Sequence, residues 1–192
     1  MIPMSDAPPD ADILAMQRLA AGDDLALNDI MHRWKEKVTA FLQRMTGDPD
    51  AAVDLAQETF VRLYQSCGSY TPSAAFPTYL FRIAANLGRN HHRWRRSHPT
   101  VYLEDGERIG DETPDQHSSP DVDMDYNERL RAVEAAIAAL PPELREAMLL
   151  FTYEDLSYAQ IAVAAHCSSK AVETRIYRAR QILRSVLKEF DA

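Results

Sequence analysis

The sequence predicts an all-α protein: two small helical domains joined by an acidic flexible linker, the C-terminal one containing a helix-turn-helix. Three observations lead there. Apolar residues recur at spacings of three and four along most of the chain, the period of a helix with one buried face. Beside them stand helix punctuation marks, with serine or aspartate caps and prolines at starts and glycines or prolines at ends. From Ser97 to about Tyr126 the pattern lapses, and Glu104, Asp105, Glu107, Asp111, Glu112, Asp115, Asp121, Asp123 and Asp125 face only Arg108, with Pro99, Pro114 and Pro120 among them. Such a segment has too little apolar surface to fold and repels itself into an extended chain. The expected boundaries are therefore a first domain at 12–96, a linker at 97–126 and a second domain at 127–190.

Length and composition agree, since 192 residues with 46% hydrophobic content suffice for two small cores. No apolar run approaches the roughly eighteen residues of a membrane span. The N-terminus, MIPMSDAPPDAD, is acidic and proline-rich rather than basic and then apolar, so no secretory leader is expected. A cytoplasmic protein without membrane insertion is the expectation. The two cysteines, Cys67 and Cys167, lie far apart without CxxC spacing, which argues against a structural disulfide or a zinc knuckle.

Taken in order, residues 1–11 carry Pro3, Pro8 and Pro9 among small and acidic residues and should form a disordered lead. From Asp12 the phrase ILAMQRLA has helical spacing and stops at Gly22. A second helix, 24–45, puts Leu27, Ile30, Met31, Trp34, Val38, Phe41, Leu42 and Met45 on one face and Lys35, Glu36 and Lys37 on the other. Thr46-Gly47 ends it. Asp48-Pro49 supplies an N-cap and a proline at the first position of a third helix, whose core stripe is read as Val53, Ala56, Phe60, Leu63 and Tyr64. Asp54, Gln57, Glu58 and Arg62 fall outside that stripe, and Cys67 to Ala75 reads as a loop.

The fourth helix, 76–96, changes character halfway. Phe76, Leu80, Ile83 and Leu87 suit a core, whereas Arg82, Arg89, Arg93, Arg95 and Arg96 come with no acid and with Tyr79, Phe81 and Trp94 interleaved. Arginines meet phosphates and rings stack on bases, a combination that suits partly unpaired nucleic acid, although Phe81 and Trp94 serve equally as packing residues. After the linker, RLRAVEAAIAAL is a helix stopped by Pro141-Pro142, and ELREAMLLFTYE is the next.

The last stretch, LSYAQIAVAAHCSSKAVETRIYRARQILRSVL, reads as the helix-turn-helix. Ser157 with Gln160 makes a capping box for a helix at 158–165, and a break at His166-Cys167 precedes a second helix capped by Ser168. Val172, Ile176, Ala179, Leu183 and Val186 form its buried stripe. From Leu156 to Lys188 the bases Lys170, Arg175, Arg178, Arg180, Arg184 and Lys188 oppose only Glu173, in a chain of net charge -8. A local basic surface on an acidic protein points to nucleic acid, with an ordinary solvated amphipathic face as the plainer alternative.

The pairing of LPPELREAMLLFTYEDLSYAQIA with AVETRIYRARQILRSVL resembles region four of the extracytoplasmic-function (ECF) sigma factors of bacterial RNA polymerase. DAAVDLAQETFVRLY and FPTYLFRIAANLGRNHHRWRR are similar to region two of the same family. The chain departs from the family pattern at His166-Cys167, where the family has Gly then Ile or Val, at Lys170-Ala171, where it has Gly-Thr, and at Tyr79, where it has Trp. The resemblance implies a promoter-specificity subunit with no catalysis and no cofactor of its own. Its implied partners are core RNA polymerase, promoter DNA and an anti-sigma factor that clamps both domains.

Carried over residue by residue, the resemblance makes Glu173, Thr174, Tyr177 and Arg178 base-facing at the minus-thirty-five element. Ser168, Lys170, Arg175 and Arg180 become phosphate contacts or, in part, intradomain salt bridges. It assigns Tyr79, Arg82, Asn86, Arg89, Asn90 and Arg93 to opening and reading the minus-ten element, with a flipped base held by the loop at 68–75. Asp54, Gln57 and Glu58 become the polymerase-binding face. The linker is implied to run through the polymerase towards the RNA exit path. Two other functional classes compete with this reading. A sigma-like decoy for an anti-sigma factor could dispense with both basic faces, which this chain keeps. An enzyme built on Asp54, Glu58, His91, His92, His98 and His117 finds no metal-ligand spacing to support it, because adjacent His91-His92 point to different sides of a helix.

Overall fold

Helix ends leave backbone groups without intrahelical partners, and the boundaries fall where local chemistry settles them. A computed structural model describes residues 10–71, 75–98 and 120–187. It contains α1 (Asp10–Ala20), α2 (Leu25–Thr46), α3 (Pro49–Gln65), a 3-10 turn (Cys67–Ser69), α4 (Phe76–Ser97), α5 (Pro120–Ala138), α6 (Pro142–Thr152), α7 (Tyr158–Ala164) and α8 (Ser169–Leu187). No strand occurs among the described residues. The disordered lead expected at 1–11 lies almost wholly outside them, as does most of the expected linker. That linker's end differs from the reading, because α5 already begins at Pro120.

In the N-terminal bundle, α2 stops at Gly47, whose φ of 72° places it in the left-handed region, where glycine has no Cβ to clash. Asp48 then accepts from Ala51 N at 3.1 Å, and Pro49 sits in the first turn of α3, where its missing N–H costs nothing. Helices α1, α3 and α4 pack around α2. The centre is aromatic: Trp34 lies 5.9 Å from Phe76 and 6.2 Å from Phe81, and Phe41 meets Phe81 edge-on at 5.3 Å. Burying each such ring contributes about 1.5–3 kcal/mol. Phe81 is thus a packing residue.

Two positions read as core in α3 are exposed, Val53 at 46% and Tyr64 at 43%. The buried stripe runs instead through Ala52, Ala56, Thr59, Phe60 and Leu63. Thr59 hides its hydroxyl by donating to the Leu55 carbonyl at 2.7 Å, and the Tyr64 hydroxyl turns outward to donate to Asp24 at 3.0 Å. In α8 Val186 is likewise exposed, since the buried face ends at Leu183. On α4, Ile83 is half-buried, and burial stops beyond Gly88, where the helix leaves the bundle.

The C-terminal domain closes over Ile137, Leu140, Leu149, Leu150, Ile161, Val172 and Ile176. Ser157 and Gln160 form the reciprocal capping box, with Ser157 N donating to Gln160 Oε1 at 2.8 Å. Ser168 accepts from Ala171 N at 3.1 Å at the start of α8. Between these helices His166 has φ 51°, a left-handed conformation uncommon for a residue with a side chain. The two domains touch: α4 packs on α7 and α6, and α2 on α6 and α5.

Candidate nucleic-acid interface

Two basic surfaces emerge, on α4 and α8, and they differ in how their side chains are held. On α4 the Tyr79 ring is half-buried and edge-on to Tyr70 at 5.0 Å, and its hydroxyl shares a hydrogen bond with Ser66 Oγ at 2.7 Å. The Arg82 guanidinium lies over that ring at 5.1 Å, which fixes the cation without neutralising it. Tyr79, Arg82, Asn86 and Ser66 line a cleft of about 690 Å3 between α3 and α4. Burial, and after it the neighbouring Tyr79 and Asp12, raises the Tyr70 pKa, so the Tyr70 hydroxyl keeps its proton.

One turn on, the α4 face meets the other domain. Arg89 donates to Asn86 Oδ1 and to Glu146 Oε1 of α6, while Asn86 Nδ2 lies 3.4 Å from His166 Nε2. Asn90 and Arg93 are exposed. Trp94 is 56% exposed and stacks on His98 with centroids 5.1 Å apart, so this ring is not core. Arg89, His92, Arg93, Arg96 and Arg178 line a second cleft, of about 800 Å3, between the domains. The His92 pKa is lowered by burial first and then by the neighbouring cations Arg145, Arg96, His91 and Arg95.

On α8 the residues read as base-facing stand on the solvent side: Glu173, Thr174, Tyr177 and Arg178 are exposed, Tyr177 at 63%. The residues read as phosphate contacts divide. Lys170 is exposed and paired with Glu173 at 2.8 Å, and the Arg180 guanidinium lies over Phe151 at 5.1 Å. The Ser168 hydroxyl is engaged in its cap. Arg175 turns inward, with Nη1 3.5 Å from Cys167 Sγ and Nη2 3.7 Å from Glu143. An arginine so placed holds α8 to α6 and the turn.

On α3, Asp54 and Gln57 are exposed and Glu58 is half-buried in an ion pair with Arg62 at 2.7 Å. Val53 and Val61, both exposed on the same helix, were not singled out for this surface. Sequence reading also missed Glu146 and Glu154. Burial raises the Glu146 pKa to about 7 against the opposing pull of Arg89 and Arg175, with Glu143 adding to the rise. Glu154 rises to about 7 for the same first reason, against Lys37 and Arg44 and with Asp155 adding. Both carboxylates face cations of the other domain, a pairing that spacing along the chain does not reveal. No cluster of potential metal ligands occurs among the described residues.

With this geometry in place, comparison with known proteins gives a consistent result. The family model for Sigma-70 region 2 matches residues 30–98 and that for Sigma-70, region 4 matches residues 130–183. The RNA polymerase sigma-H factor of Pseudomonas aeruginosa is 33% identical over 90% of this chain and 92% of its own length. The ECF RNA polymerase sigma-E factor of Haemophilus influenzae is 32% identical over 92% of this chain and 95% of its own. The fold is similar to that of the sigma factor RpoE in its complex with the anti-sigma factor NepR from Bartonella quintana, with a TM-score of 0.65 at 24% identity over 84% of this chain and 96% of that one. The chain, with its region-two bundle and its region-four helix-turn-helix, belongs to the ECF RNA polymerase sigma factors.

Proposed function

We propose that this sigma factor brings core RNA polymerase to its promoters by dividing recognition between its two domains, without catalysis of its own. The exposed row Glu173, Thr174, Tyr177 and Arg178 on α8 carries this reading. A helix can enter the major groove, where such side chains meet base edges, and Lys170 and Arg180 flank the row to meet phosphates. On α4, Tyr79, Arg82, Asn86, Arg89, Asn90 and Arg93 would receive the opened strand, where base identity is offered by unpaired edges and stacking. The outer face of α3, with Asp54, Gln57 and Glu58, would seat the polymerase.

Work of this kind belongs in the cytoplasm, and no helix among the described residues is long and apolar enough to cross a membrane. An anti-sigma factor as a further partner is supported by the complex in which the structural neighbour was solved. The test is transcription in vitro with purified core polymerase, followed by start-site mapping. Starts at one class of sequence that appear only when the protein is added are the expected outcome; no added starts would overturn it.

A further inference from the structure

We propose, resting on the reading that α8 enters the major groove, that Glu173 selects a C·G pair in the minus-thirty-five element by accepting from the exocyclic amine of cytosine, with Lys170 positioning its carboxylate.

Glu173 is the single acid between Leu156 and Lys188, on a stretch that otherwise carries Lys170, Arg175, Arg178, Arg180, Arg184 and Lys188. Phosphates repel a carboxylate, so this acid weakens the sequence-independent attraction of α8 for any duplex. Two ordinary structural roles do not account for it. Glu173 lies beyond the first turn of α8, which holds no acid, and the favourable dipole of a helix start fades within that turn. Its ion pair with Lys170, at 2.8 Å and of the i,i+3 kind, joins side chains that are 53% and 81% exposed, and pairs so exposed contribute little to stability.

The chemistry of the groove supplies a role. A carboxylate offers acceptors and no donor. Towards the major groove guanine presents N7 and O6 and thymine presents O4, all acceptors, which repel it. Adenine sets its amine beside the N7 acceptor, an edge that an amide matches because it carries both functions. Cytosine presents its N4 amine alone. Of the four bases, cytosine is therefore the one that a carboxylate favours.

The local geometry is suited to that contact. Glu173 stands near the start of α8, the part of a recognition helix that meets base edges, and Tyr177 and Arg178 follow one turn along on the same exposed face. Lys170 Nζ donates to Glu173 Oε2, which leaves Oε1 to accept from cytosine and leaves the ammonium its remaining N–H groups for a phosphate. The Thr174 hydroxyl, next in the row, donates to the Lys170 carbonyl at 3.0 Å, so its hydrogen stays within the helix. Lys170 stands where the family pattern has glycine, so the held carboxylate is a feature of this chain.

Holoenzyme assembled from core polymerase and the full-length protein, offered a randomised duplex library and sequenced after capture, reads base preference position by position. The wild type should favour C·G over each other pair at one upstream position by about fivefold or more, the lower end for a good base contact. Glu173→Gln should move that position to A·T, because an amide pairs with adenine N6 and N7, and should leave the other positions as they were. Lys170→Ala should blunt the same C·G preference. A folding defect would lower capture of all sequences alike and would not exchange one preferred base for another.

Arg178→Ala, elsewhere in the row, separates failure of the proposal from failure of the groove reading. If Glu173→Gln leaves every position as in the wild type while Arg178→Ala relaxes one, Glu173 selects no base and the groove reading stands. If neither variant alters any position, the groove reading of α8 fails and the proposal with it. A wild-type preference for any pair other than C·G at the position that depends on Glu173 overturns the cytosine assignment. A C·G preference untouched by Lys170→Ala overturns the positioning role.

Discussion

Arg175 lies in the middle of the basic helix α8, yet it donates to the sulfur of Cys167, 3.5 Å away in the turn before that helix. Its other terminal nitrogen faces Glu143 on α6 at 3.7 Å. Arg178, one turn along, is exposed. Replacing each with alanine should separate structure from recognition. Arg175→Ala leaves Cys167 and Glu143 without their partner and should cost about 1–2 kcal/mol of stability, read as a lower urea midpoint. Arg178→Ala should leave that midpoint within about 0.5 kcal/mol of the wild type. Equal midpoints for the two variants would return Arg175 to the DNA face.

Buried Glu146 and half-buried Glu154 predict a pH dependence of stability with a definite sign. Withdrawal from water pushes the Glu146 and Glu154 carboxyls up to about 7, well above the ordinary glutamate range. Between about 5 and 7 the folded chain therefore binds more protons at these sites than the unfolded chain. Their contribution to stability is greatest below the unfolded value and is lost as pH rises through about 7. The urea midpoint should fall across that window, after allowance for other groups by comparison with Glu146→Gln and Glu154→Gln. Each substitution should flatten the slope, and a midpoint that rises equally steeply in all three proteins would contradict the assignment.

The outer face of α3 offers a third test. Alanine at Asp54, Gln57 and Glu58 together should weaken binding to core polymerase while changing stability by no more than about 0.5 kcal/mol per site, as surface changes do. Val53 and Val61 are exposed beside them and are natural apolar neighbours of such a contact. Val53→Ser should also leave the fold intact, which a core position would not tolerate. Binding measured by fluorescence anisotropy with labelled protein checks both. Unchanged core affinity would assign this face to another use.

How far the chain was legible depends on whether the deciding interaction is local. The capping box of Ser157 and Gln160, the cap at Ser168 and the Asp48-Pro49 start lie within a few residues, and each was readable from spacing. The α3 stripe was harder, because threes and fours from Ala56 reach Val53 as readily as Ala52, and only packing against α2 decides between them. Thr59 passes as polar until its hydroxyl is seen returning to its own helix. An acidic stretch read as linker to Tyr126 in fact enters α5 at Pro120, since charge density and proline suggest a loop when no partner is in view. Least legible was the domain contact. Arg89 and Glu146 lie 57 residues apart, and nothing in either local sequence pairs them.

The proposed division of labour between α8 and α4 makes the fullest prediction, because damage to each should then stop initiation at a different step. Arg178→Ala removes an exposed side chain from the row proposed to read duplex and should lose roughly 1–3 kcal/mol of binding, the worth of a good base contact. Recruitment to duplex promoter should then limit the reaction. Asn86→Ala with Asn90→Ala removes hydrogen-bonding groups from the α4 face without removing an arginine, so recruitment through α8 should persist while opening fails. A premelted template should rescue the asparagine variant far more than Arg178→Ala. Gel-shift binding of the holoenzyme and permanganate reactivity of promoter thymines read the two steps separately, and equal loss of duplex binding in both variants would refute the division.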